Sequence, residues 1–365
     1  MASIVNTDAI NPSSARSTGH AVFSMETVAY ALLIVFAVVL RIAEVDTVPL
    51  REYEARQALA AWRVVQPIPG LEPIAPQSSL LFTGHVIAFT LLGASEFSAR
   101  LLTILASVAL LLSPLLFRNV LGVGRAFVLA LLLVVSPIVL ISSRTDSAMI
   151  WSALSVVLGL WAAHRYLLTG RKSWAVLVAV CLMVLILLTD PTGILTALIV
   201  LLAGYVAWQF TPKEIDDLPD EQVEALSMKI EARLRSWPRL ESAIISILVI
   251  VLLSTLVLIY PAGLNVIGES LSVFVRGLTT GQPGLPALFP ILTTLFYEPW
   301  LVLLGLVAWF WLGQVGRITW IDRLAGAAVF FGLVAGAFYR GAGADHALWL
   351  ILPLALLVSH LVIVL

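Results

Sequence analysis

Between Arg41 and Arg63 the chain reads RIAEVDTVPLREYEARQALAAWR, eight charged side chains in 23 positions. Charged residues make up only 12% of the protein, so this island interrupts an apolar background. Where a chain meets lipid, such a density of charge persists only if water reaches it or chemistry requires it. Other ionisable residues stand at the ends of later apolar stretches. They are Glu72, His85, Glu96 and Arg100, then Arg144 and Asp146 in SSRTDS, Asp190 in LLTDPTG, Glu298 in FYEPW, and Tyr339, Arg340, Asp345 and His346 in AFYRGAGADHAL. Carboxylates and arginines from separate span ends can converge on one cavity. Apolar walls would then hold a lipid chain while cations hold its phosphate.

Each of these residues also has a plainer reading. Arg100 and Arg144 can snorkel to lipid headgroups. Asp146 can cap the helix that follows, and Asp190 before Pro191 can simply make a turn. His85 interrupts an apolar run, where a histidine is more often a hydrogen-bonded packing residue than a ligand. His360 lies within the last apolar stretch and reads as a packed side chain. Cys181 is the one cysteine and excludes a disulfide frame. The net charge of −1 gives no basic face for nucleic acid. Phosphate-binding and dinucleotide-binding glycine loops and paired-cysteine metal motifs are absent, which argues against an ATP-driven pump.

The elements that must position these residues are membrane helices. Hydrophobic residues reach 60% of the chain and mean hydropathy is +1.02, whereas a soluble domain carries about 25% charged residues. The reading is an all-α, polytopic integral membrane protein. Stretches able to cross about 30 Å of hydrocarbon fall near residues 25–43, 101–117, 126–143, 147–167, 174–189, 193–209, 241–261, 299–315, 320–338 and 347–365. A shorter apolar run at 79–94 is read as a juxtamembrane or re-entrant helix. With that assignment the basic loops 118–125, 165–173, 210–240 and 316–323 share one side, which the positive-inside bias makes cytoplasmic. About ten spans result, with both termini in the cytoplasm and a long outer loop at 44–100. Residues 1–24 are polar and read as a disordered cytoplasmic segment. Residues 210–240 read as a cytoplasmic amphipathic connector, and 241–365 as the C-terminal spans.

With these landmarks in order, the chain resembles the GT-C class of membrane glycosyltransferases, in particular the protein O-mannosyltransferase and aminoarabinose transferase group (glycosyltransferase family 39-like). The resemblance lies in PLREYEARQALAAW (49–62) in the first outer loop, LLGASEFSARLLTILAS (91–107), SSRTDSAMIWSALSVVLGLWAAHRYL (142–167) and LLTDPTGILTALIVLLAGY (187–205). It covers roughly residues 25–210. The family presents adjacent Asp-Glu in the outer loop. Here Glu54 matches the Glu, but Tyr53 stands at the Asp, and Asp190 reverses the charge of a turn lysine found in some relatives.

The resemblance implies transfer of a sugar from a polyprenyl-phosphate donor at the outer face of a prokaryotic plasma membrane. Glu54, or Glu52, would take the acceptor proton, with Asp146 orienting the acceptor or a neighbouring arginine. Arg100, Arg144 and Arg340 would hold the leaving phosphate, and Asp190 and His346 would line the substrate site. A divalent cation is a candidate cofactor, with Glu54, His85 or His346 as ligands. Membrane lipids and subunits of a larger membrane complex are the other expected partners. Two further readings stay open: a catalytically inactive structural subunit of such a complex, which the altered motif and short chain favour, and a polyprenyl-phosphate transporter.

Overall fold

A computed structural model describes residues 25–67, 69, 74, 76–210, 231–281, 285–286 and 288–365. The polar segment 1–24, Glu72 and most of the 210–240 connector lie outside the described residues. Sixteen α-helices of four residues or more with printed bounds run through the described part, and no strand occurs among those residues. The first, α1 (Met25–Ile42), leads through a short turn at Val45–Thr47 to α2 (Glu52–Val65) and α3 (Ser79–Leu92). Then come α4 (Glu96–Leu112), α5 (Arg118–Leu121), α6 (Val123–Val135), α7 (Pro137–Arg144), α8 (Ala148–Thr169), α9 (Lys172–Leu187) and α10 (Gly193–Phe210). The chain finishes with α11 (Arg239–Ser254), α12 (Asn265–Thr279), α13 (Phe289–Tyr297), α14 (Pro299–Gln314), α15 (Trp320–Phe338) and α16 (Leu348–Val364).

Six helical segments are long and apolar enough to cross a membrane, and two bent pairs, α6 with α7 and α13 with α14, bring the total to as many as eight. Two of the ten expected stretches fall outside these eight, on α9 and α11, each 16 residues long. At 1.5 Å per residue each extends about 24 Å, short of about 30 Å of hydrocarbon. The shortening has local causes. Asp190-Pro191 turns the chain after α9, and left-handed backbone at Leu256, Val257 and Leu258 ends α11. The run at 79–94 forms α3, whose 14 residues extend only about 21 Å. It packs on α2 and α4, so the first loop carries two short helices as expected.

Packing follows the sequence order only in part. α8 lies along α9, α10 along α15, and α16 against α6, α14 and α15. Their shared interior is apolar, with Leu110, Ala130, Val139, Ile150, Leu348 and Ile351 among its buried members. A second, smaller cluster under the short helices joins Ala58, Ala61, Phe82, Phe89 and Ala99.

The bent pairs break at prolines. α6 and α7 meet at 62° before Pro137, and α13 and α14 meet at 94° before Pro299. Ser136 caps α7, its Oγ accepting from Val139 N at 3.3 Å. The fully buried Glu298 lies at the other break and joins the two: its Oε1 accepts from the Ser136 hydroxyl and, at 3.5 Å, from Ile138 N. A carboxylate suits that place because α7 offers unpaired N–H groups and the positive end of its dipole.

Candidate functional site

The charged island folds back onto α4 through one buried pair. Arg100 donates from Nε to Glu54 Oε1 at 3.1 Å and from Nη2 to Glu54 Oε2 at 2.9 Å. Its remaining donors reach the carbonyls of Val45, Val48 and Pro49 at 2.8–3.2 Å. Glu54 also accepts from Arg51 N at 2.8 Å and Asp146 N at 2.7 Å. Both side chains are almost wholly buried. The loop thus wraps an arginine that satisfies its guanidinium with carbonyls and a carboxylate. Burial alone would raise the Glu54 carboxyl, but the bonds from Arg100, Arg51 and Asp146 outweigh it and hold it below the ordinary carboxylate range.

Beside this clamp lies a cavity of about 500 Å³. Its apolar walls include Ile138, Ile141, Val273 and Phe289, and its polar lining includes Arg51, Tyr53, Asp146, Asp190, Asp345 and His346. Asp146 accepts from Thr103 Oγ1 at 3.1 Å and faces His85 Nε2 at 3.1 Å, while that same nitrogen lies 2.8 Å from Ala99 O. Asp190 is held by its own turn: its Oδ1 accepts from Thr192 N at 2.7 Å and Thr192 Oγ1 at 2.6 Å. That turn requires Gly193, where a Cβ would meet Leu185 O at 1.9 Å.

His346 stands between two carboxylates. Its Nδ1 accepts from Gly343 N at 3.0 Å, which leaves Nε2 to carry the ring proton toward Asp190 Oδ1 at 3.4 Å. Asp345 Oδ1 lies 3.4 Å from Nδ1, and Asp345 Oδ2 accepts from Ser147 Oγ at 2.8 Å. The Asp345 side chain is 33% exposed, against 9% for Asp190, 2% for Glu54 and 1% for Asp146. It is the cavity carboxylate most open to a bound molecule. Tyr53 receives a bond from Gln57 Nε2 at 3.4 Å. Burial first, and then the charges of Asp190 and Asp146, push its phenol well above the ordinary range.

Of the residues singled out from sequence, Glu54, Asp146, Asp190, Tyr339, Asp345 and His346 reach the cavity wall. Arg100 is committed to the clamp. Arg144 turns to the end of α1, donating to Leu40 O at 3.3 Å and Ala43 O at 2.6 Å. Arg340 is exposed and reaches Thr279 O at 3.4 Å. Glu52 is exposed and does not line the cavity. The arginine that does line it is Arg51, for whose guanidinium no partner occurs among the described residues. Its signal was its place one residue ahead of α2, where only its backbone is needed to hold the helix end. Asp345 was visible only as an acid beside His346 after a glycine-rich turn. The candidate metal ligands do not form a donor set. Glu54 is taken up by four donors, His85 faces Asp146, and no group of three His, Cys, Asp or Glu side chains able to hold a metal occurs among the described residues.

A bundle of apolar helices, two short helices on its first loop and a carboxylate-lined cavity at the span ends define an integral membrane protein with a GT-C-like fold. The chain superposes on the crystal structure of ArnT from Cupriavidus metallidurans in the apo state with a TM-score of 0.59 and 16% identity over 94% of its length. The same protein bound to undecaprenyl phosphate matches with a TM-score of 0.59 and 15% identity over 93%. In both cases the match spans 61% of the ArnT chain. No protein-family model and no curated protein sequence matches.

Proposed function

We propose that the protein is a membrane glycosyltransferase that moves a sugar from a polyprenyl-phosphate donor to an acceptor hydroxyl within the polar cavity, at the outer face of a prokaryotic plasma membrane. The observation that carries this reading is the cavity itself. It pairs apolar walls with one unpartnered arginine, Arg51, and one accessible carboxylate, Asp345. The ArnT-like fold supports it, as does the undecaprenyl phosphate in one neighbour's structure.

In this reading the acceptor oxygen attacks the anomeric carbon and its proton passes to Asp345. The bond from that carbon to the donor phosphate breaks, and its electron pair goes to the phosphate oxygen, where Arg51 stabilises the developing charge. Ser147 sets the position of Asp345, its Oγ donating to Asp345 Oδ2 at 2.8 Å. Glu54 holds the loop, because each of its oxygens already accepts two bonds. Asp146, bound to Thr103 and facing His85, orients this wall of the site.

The test is sugar transfer in reconstituted vesicles supplied with undecaprenyl-phosphate-linked sugars, pentoses and hexoses in turn. Asp345→Asn should lower turnover by about 10²–10⁴-fold while leaving binding of undecaprenyl phosphate intact. Wild-type turnover in that variant would refute the assignment. A wild-type protein that transfers no sugar but purifies with stoichiometric partners would instead be a structural subunit, and one that moves undecaprenyl phosphate between leaflets a transporter.

A further inference from the structure

At the end of the bundle opposite the polar cavity, cations gather around one turn. α8 starts beside the cavity-lining Ser147, and its 22 residues carry the chain about 33 Å away. There Gly170, at φ 66°, ends the helix, and Arg171 leads into α9. Residues 160–173 and 231–241 hold six cations, Arg165, Arg171, Lys172, Arg233, Arg235 and Arg239, against two carboxylates, Glu231 and Glu241. Both carboxylates are already taken, Glu231 by Arg235 at 2.7 Å and Glu241 by Lys172 at 2.9 Å. Among the described residues no acid pairs with Arg165, Arg171 or Arg233.

Packing fixes where these guanidiniums stand. Tyr166 donates its hydroxyl to Arg233 O at 2.8 Å, and its ring meets Trp237 edge-on at 5.1 Å, which fastens residues 231–237 over the turn. The Arg233 guanidinium then lies against Gly170, where an added Cβ would meet Nη1 at 1.7 Å. Arg165 lies over the Trp174 ring, 5.6 Å from its centroid, and Trp161 meets the same ring edge-on at 4.8 Å. Arg165 Nε is shielded from solvent and finds no acceptor among the described residues. Cations gathered on one turn repel one another, and an anion held between them relieves that repulsion and supplies the missing acceptors. Trp161, Trp174, Trp237 and Tyr166 are the side chains that favour the headgroup layer of a bilayer. The anion abundant at that depth is a phospholipid phosphate.

We infer that the α8–α9 turn binds the phosphate headgroup of an anionic bilayer phospholipid through Arg165, Arg171 and Arg233. The inference does not rest on the sugar-transfer reading.

The experiment places the protein in phosphatidylcholine nanodiscs with a limiting amount of phosphatidylglycerol that carries a diazirine in its headgroup, followed by irradiation and peptide mapping. Adducts should concentrate on residues 165–174 and 233–237, and the same label on phosphatidylcholine should give several-fold fewer. Arg165→Gln, Arg171→Gln and Arg233→Gln should each lower the phosphatidylglycerol adducts about fivefold, the worth of one cation near an anionic lipid. Arg118→Gln removes a cation at the same end that Glu26 already neutralises at 2.7 Å, and should change nothing. Equal labelling by the two lipids would overturn the proposal, as would full labelling in a folded variant lacking all three guanidiniums. Chase by glycerol phosphate in solution as effective as chase by unlabelled phosphatidylglycerol would overturn the assignment to a lipid. Labelling absent from the wild type but gained on Asp216→Asn/Asp217→Asn/Asp220→Asn would assign the turn to the chain's own acidic stretch instead.

Discussion

Glu54→Gln separates a structural carboxylate from a catalytic one. Each oxygen of Glu54 faces two donors: Arg100 Nε and Asp146 N on one side, Arg100 Nη2 and Arg51 N on the other. Whichever way the glutamine amide turns, its NH₂ meets two N–H groups, and the buried Arg100 loses its counter-charge. Breaking a buried pair on one side costs about 3–5 kcal/mol, a fall of roughly 6–10 °C at about 2 °C per kcal/mol. The assay is thermal unfolding of purified Glu54→Gln, Arg100→Met and the double variant Glu54→Gln/Arg100→Met. The double variant should lose less than the two single losses combined, with a coupling of about 2–3 kcal/mol. The pH dependence gives a second readout. Glu54 titrates below its unfolded value, so its contribution is complete above that value, about 4.3, and drains away as pH falls through the folded one. Wild type should therefore weaken on acidification more steeply than the double variant. Additive single effects, or a Glu54→Gln protein within about 1 kcal/mol of wild type, would refute the reasoning.

Arg144→Ala and Arg340→Ala should leave undecaprenyl phosphate binding within about twofold of wild type, since both guanidiniums turn to backbone carbonyls outside the cavity. Arg51→Ala should weaken that binding by about tenfold or more, the loss of a charge-assisted bond, and equal affinity in a vesicle titration would remove Arg51 from the site. Gly193→Ala should cost about 3 kcal/mol or more, because its Cβ meets a backbone oxygen that cannot swing away, and an unchanged unfolding temperature would contradict the tight turn.

Composition and apolar run length made the helical membrane bundle legible, and the first-loop helices followed from a run too short to cross. Charges at span ends also marked the end of the bundle that holds the cavity. What the sequence does not carry is which charge meets which. Glu54 and Arg100 are 46 residues apart, and no local periodicity predicts a bidentate pair between a loop helix and a span. Arg144 has the same composition-level signal as Arg51, yet one ends on the carbonyls of α1 and the other faces the cavity. Asp345 gained its role only when the turn at Ala344–Ala347 brought it against Ser147, far away in the chain.

The breaks before Pro137 and Pro299 lie side by side, pinned by Glu298 to Ser136. They divide the bundle into two storeys. Below them the continuous helices form an apolar foundation. Above them short segments, α7 and α13, supply walls of the polar cavity without being rigid continuations of the helices beneath. A change in the upper walls therefore need not propagate downward. Substitutions that reshape the cavity can accumulate in the upper storey while the membrane-embedded base keeps its packing.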